Sequence, residues 1–184
     1  MNRTIAIAIG LMLIGCIPSL HPLYTDADLV FDPALLGTWM EKSAEDESWT
    51  FTQTGKREYE LIYTDGDGKP APFIAHLISF DGRRFLDLYP SGDESPYNGF
   101  YQTHLVPAHT FMHVAEISPT LRLAMMNPAW LDSILTKHPK DLAHEREGDA
   151  VIITASTSDL QEFVLKHLDT PNAWGEQSEL RKGW

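Results

Sequence analysis

Three histidines, His104, His109 and His113, fall within ten residues of this chain, and Asp87 interrupts the otherwise apolar run Phe85-Leu86-Asp87-Leu88-Tyr89. Imidazoles this close suggest a metal site, but the spacing opposes one. On a strand, His109 and His113 share a face yet lie about 13 Å apart, whereas two ligands of one zinc each sit about 2 Å from the ion. Pro107 and the β-branched and aromatic neighbours oppose the helix that would bring them together. The expected metal set is therefore none. Asp65-Gly66-Asp67-Gly68 opens like a calcium loop, but Lys69 and two prolines follow where further oxygen ligands belong, so a hairpin turn is expected. There is no Gly-X-Ser-X-Gly elbow. Asp87 with one of the histidines is the one pair on which a hydrolase could be built, and no catalytic residue is assigned.

Cys16 is the remaining reactive side chain and the single cysteine, which excludes an internal disulfide. It ends a distinctive N-terminus: Arg3 supplies one positive charge, and Ile5–Ile14 is an apolar run of ten residues. A helix needs roughly 20 such residues to span a bilayer, but ten suit the core of a signal peptide. The run closes on Leu13-Ile14-Gly15-Cys16.

That tetrapeptide resembles the lipobox of bacterial lipoproteins. The resemblance implies that residues 1–15 are removed as a signal peptide, that the Cys16 thiol carries a thioether-linked diacylglycerol, and that the new amino group takes a further acyl chain such as palmitate. Two or three chains make a stable anchor where one would be marginal. Ile17 stands where an inner-membrane retention signal has Asp, so the resemblance implies an outer-membrane lipoprotein facing the periplasm. No cofactor is expected beyond this covalent lipid.

The remainder must be a globular domain. The chain has 184 residues, 43% of them hydrophobic, enough for one core. With 26 acidic against 14 basic residues and a net charge of −12, it lacks the Lys/Arg surface that binds nucleic acid. The same acidity predicts repulsion from anionic headgroups. Pro18, Pro22 and Pro33 give residues 16–33 the character of a short, stiff link, with Thr25 and Asp28 capping one turn before Leu29, Val30 and Phe31. The domain is expected over residues 34–184.

Within it the hydrophobic period is two. Strands are expected near 38–44, 47–53, 57–65, 72–80 and 83–89, joined by turns at 53–56, 65–68 and Asp81-Gly82. Further strands are expected at 100–106, 110–117, 120–126 and 151–154, and a last one at 178–184. Asn127-Pro128 opens a short helix that Pro139 stops, and Ser158 with Gln161 forms a capping box for a second. A mainly β, antiparallel meander follows, long enough to close into a barrel or half-barrel, with two short helices near the C-terminus.

Gly37-Thr38-Trp39 on the first long strand resembles the Gly-X-Trp signature of the lipocalin/calycin family. The resemblance implies a barrel whose closed end is crossed by Trp39, with Arg181 as its cation–π partner. The whole chain also resembles small uncharacterised bacterial lipoproteins, to which no reaction attaches. If the alternating aromatic faces converge, Trp49, Phe51, Tyr59, Tyr63, Phe73, Phe85, Tyr89 and Phe111 line the inside, where eight strands hold either packed side chains or one small ligand. The leading expectation is a membrane-anchored envelope lipoprotein binding a small apolar or amphipathic molecule or lipid. The alternative is a filled barrel that binds another envelope protein.

Overall fold

From Gly37 to Met125 each strand pairs antiparallel with the next; β3 to β6 and β7 to β8 are joined by short turns that force neighbours together, whereas a longer segment separates Pro90 of β6 from Thr110 of β7. The computed structural model describes residues 16–41, 44–92, 102, 104–148 and 150–183. In chain order the strands are β1 (Leu29–Val30), β2 (Gly37–Glu41), β3 (Ala44–Gln53), β4 (Tyr59–Thr64), β5 (Pro70–Phe80), β6 (Arg83–Pro90), β7 (Thr110–Glu116), β8 (Thr120–Met125), β9 (His144–Glu147), β10 (Ala150–Ile153) and β11 (Ser178–Lys182). Helix α1 is Pro128–Lys137 and α2 is Thr157–Lys166.

Strands β2 to β8 form a meander, and β11 returns to pair with both β8 and β2. This closes an eight-stranded antiparallel barrel, not a half-barrel. Closure leaves no long edge open to foreign strands. The Asp81-Gly82 hairpin works as expected, with φ of +48° and +70° at its two residues. Gly82 takes the second of these without the strain that a Cβ would add. The turn after β4 is also a hairpin, in which Asp65 Oδ1 accepts hydrogen bonds from the Asp67 and Lys69 backbone amides.

Two cores share the barrel wall. Inside lie Trp39, Phe51, Tyr59, Leu61, Leu77, Leu86, Leu121, Leu123 and Leu180; outside, against β5, β6 and β7, lie Ile78, Phe85 and Phe111 with Ile17, Leu23, Leu131, Leu135, Ile153, Leu160, Phe163 and Val164. The outer core exists because α1 and α2 each bring one apolar face onto the wall, and the β9–β10 hairpin supplies Val151 and Ile153. Fully burying each such side chain contributes about 1.5–3 kcal/mol.

Several expectations are corrected by this packing. Residues 17–33, expected as a stiff link, are part of the folded unit. Ser19 exchanges backbone hydrogen bonds with His109, and residues 18–20 bond to Ile153 of β10. Leu29 and Val30 form a strand against β5, after a turn in which Asp28 Oδ2 accepts from Thr25. The N-cap of α2 is Ser156, whose Oγ accepts from Asp159 N, and not Ser158. Gln161 reaches instead to the Leu23 carbonyl and Asp28. Of the strand expected at 100–106, residues 104–106 are turn and loop and most of the rest lies outside the described residues. The expected signal peptide, residues 1–15, and Trp184 also lie outside them.

Candidate functional site

Among the described residues the barrel has one closed and one open end, and the reason is local. At the closed end a single 3-10 turn, Pro33–Leu35, is capped by the Asp32 side chain and turns the chain across the barrel floor. Trp39 Nε1 donates to the Leu35 carbonyl at 2.7 Å, so the indole spans the floor with its polar atom satisfied. Tyr59 Oη accepts from Asp32 N at 2.7 Å beside it. The cation over Trp39 is Lys182, its Nζ 5.2 Å from the ring centroid, and not Arg181. Register explains the correction. Lys182 pairs with Trp39 and shares its face, whereas Arg181 pairs with Met40 and is exposed.

The floor and middle of the barrel are filled. Trp39, Phe51, Tyr59, Leu61, Leu77, Leu86 and Leu121 are each no more than 1% exposed. Toward the open end the packing loosens: Trp49, Tyr63, Phe73 and Met125 are only half-buried against the inner core. The Trp49 and Tyr63 rings lie 5.1 Å apart. Burial, then Glu47, Asp65 and Cys16, push the Tyr63 phenol up to about 12. The Glu47 carboxyl is raised by burial, with Glu41 and Asp65 adding like charge. The mouth therefore joins apolar rings to a carboxylate-rich rim on the β2–β4 side.

Cys16 stands at the opposite side of this mouth. It is exposed, and together with Ile17, Thr110, Phe111, Met125 and Met126 it borders a cavity of only about 10 Å³. Burial of part of the side chain raises its thiol pKa.

Of the eight aromatic residues expected to converge, five do so: Trp49, Phe51, Tyr59, Tyr63 and Phe73 belong to the inner core. Phe85, Tyr89 and Phe111 do not. Phe85 and Phe111 are on the outer wall, Phe85 stacked on Phe80 at 4.9 Å and both near Trp174, while the Tyr89 ring lies 4.6 Å from that of His109. Strand β6 is buried on both faces, so its apolar run gives no sign of which face is inside.

The outer wall holds a polar cluster whose partners were not legible in advance. Asp87, fully buried, accepts from His109 Nδ1 at 2.7 Å through Oδ1 and from Leu23 N at 3.0 Å through Oδ2. Around this pair lie Tyr24, 4.7 Å from His76 and 6.4 Å from His109, and His76 itself, 3.8 Å from Glu58. Burial outweighs the nearby carboxylates and lowers the His76 pKa, while burial first and Asp87 next push Tyr24 up to about 12.

A histidine oriented by a carboxylate is the geometry of a general base. Here, however, the carboxylate also holds the N-terminal segment, and the Ser19 hydroxyl donates to the His21 carbonyl at 2.7 Å. The pair works as a clasp. His113 points to the same outer face, packed on Phe85 and Trp174, and His104 is exposed in the loop before β7. Among the described residues no three metal-ligating side chains converge, and no helix is long and apolar enough to cross a membrane. A separate surface cleft of about 420 Å³ lies between α2 and residues 140–143, lined by mixed charges including the Lys166–Asp141 ion pair.

Comparison with protein-family models, with curated proteins and with solved structures finds no match to this chain.

Proposed function

We propose that this is a lipid-anchored protein of the bacterial envelope, acylated at Cys16, that binds a small apolar or amphipathic molecule at the open end of its barrel. The observation that carries the binding reading is the cluster of half-buried aromatic side chains at the mouth, above a filled barrel interior. Trp49, Tyr63, Phe73 and Met125 stand half-buried there, over interior side chains that are fully buried. Such a mouth takes an apolar ligand as a shallow cap rather than swallowing it, since the deeper positions are already occupied. The anchor reading rests on Arg3, the apolar run Ile5–Ile14 and Leu13-Ile14-Gly15-Cys16, together with the exposure of Cys16. Its sorting is to the outer membrane, with the domain in the periplasm.

Two measurements test the proposal. Mass spectrometry of the membrane-purified protein should find an N-terminal, acylated Cys16, and Cys16→Ala should accumulate as an unacylated soluble or precursor species. Membrane fractionation of that variant like the wild type would remove the anchor. Separately, a form lacking residues 1–15 with Cys16→Ser should quench its tryptophan fluorescence on titration with a fatty acid or hydrophobic dye, and Trp49→Ala should weaken this severalfold. An unchanged Trp49→Ala response would move the ligand away from the mouth.

A second reading, a lipoprotein whose filled barrel binds another envelope protein, is favoured by the dense packing of the barrel's floor and middle. A stoichiometric protein partner in a pull-down, with no ligand response, would replace the first reading with this one.

A further inference from the structure

Among the described residues, the large apolar side chains left most exposed are Leu20, Leu105 and Val106, at 43%, 51% and 73%. They do not scatter. Leu20 directly follows Ser19, which pairs with His109, and Leu105 and Val106 lie four and three residues before that same histidine. All three flank the rim where β7 begins, and Cys16 borders Thr110 and Phe111 of that strand.

The chain allows Cys16 almost no travel. Ile17 is 8% exposed within the outer core, and the Pro18 carbonyl and the Ser19 and Leu20 amides are held by backbone hydrogen bonds of 2.9 Å to β10 and His109. A lipid on Cys16, or an uncleaved apolar run Ile5–Ile14, would leave the domain at this one place with no slack.

Resting on the anchor reading above, we propose that the β7 side of the barrel mouth, marked by Cys16, Leu20, Leu105 and Val106, is the face that lies on the lipid bilayer. The occupant is a bilayer surface because these exposed apolar residues lie within four residues, along the chain, of the paired Ser19 and His109, beside the point from which the chain's own membrane-directed group must emerge. Apolar side chains at an interface gain by leaving water, and here the anchor has already brought them there.

Charge sets the tilt. Glu47, Asp65 and Glu41 occupy the β2–β4 side of the mouth, across the barrel from β7, and anionic headgroups repel that side. The domain therefore rests on its β7 rim with the acidic rim lifted. The repulsion that the composition predicts thus orients the domain instead of holding it away.

The test uses the full-length protein, purified from membranes and reconstituted into phosphatidylcholine vesicles containing a minority of phosphatidylglycerol. Acylated Cys16 has no free thiol, so Val106→Cys can be labelled with an environment-sensitive fluorophore, and Lys56→Cys, on the β3–β4 hairpin at the closed end, serves as the distal probe. The expected result is a blue shift at position 106 and quenching by lipid-borne quenchers severalfold stronger than at 56. Leu105→Ser placed in the Val106→Cys protein should reduce that quenching while leaving co-sedimentation with vesicles intact.

Equal, weak quenching at 106 and 56 in protein shown by mass spectrometry to be acylated and vesicle-bound would overturn this orientation alone. Protein that is unacylated and does not sediment with vesicles would overturn the anchor reading and this inference together.

Discussion

Asp87 shows how one side chain connects sequence to architecture. A carboxylate with no solvent exposure is costly unless its oxygens are satisfied, and here one bonds His109 and the other the Leu23 amide. It thereby ties β6 to the residue preceding β7 and to the N-terminal segment at once. Asp87→Ala would strand both donors and should lower unfolding stability by about 3 kcal/mol; Asp87→Asn keeps an acceptor for Leu23 but loses the charge-assisted bond, costing about 1–2 kcal/mol. Urea unfolding of the two variants checks the order. Equal stability of Asp87→Asn and wild type would mean that the His109 contact contributes nothing. The sequence singles out both Asp87 and His109, yet their separation of 22 residues carries no sign that a register of β6 on β7 brings them within 2.7 Å.

Among elements, the two helices differ in how openly they declare themselves. Asn127-Pro128 is unambiguous: the Asn side chain accepts from Ala129 N and Trp130 N, and Pro128 has no amide to satisfy. At α2 the sequence Ser156-Thr157-Ser158-Asp159 offers competing caps, and the capping-box spacing to Gln161 favours Ser158. The chain uses Ser156 because Gln161 is drawn to Leu23 and Asp28 by tertiary contact. Ser156→Ala should therefore cost about 1 kcal/mol, and Ser158→Ala less than about 0.5 kcal/mol, in thermal or urea unfolding. The reverse order would restore Ser158 as the cap.

At the scale of the whole molecule, the N-terminal segment is structural, with the outer core built partly on it. Removing residues 1–23 would expose the outer faces that Ile17 and Leu23 cover and leave the His109, Ile153 and Asp87 partners unpaired. Relative to a form starting at Cys16→Ser, this truncation should lower stability by about 3–5 kcal/mol, measured as a drop in urea midpoint. An unchanged midpoint would return the segment to the status of a link.

The amino-acid order by itself determined the antiparallel meander, the Asp81-Gly82 and Asp65–Gly68 turns, the extent of α1 and the position of Trp39, because alternation, turn chemistry and caps act over a few residues. Which side of β6 faces inward, which cation covers Trp39, which serine caps α2 and how residues 17–33 are held were decided by the tertiary structure alone. Strand β6 is apolar on both faces, and the N-terminal prolines fit a link as well as a packed edge. Those choices depend on which distant surfaces meet once the barrel has closed, and closure is a property of the sheet as a whole.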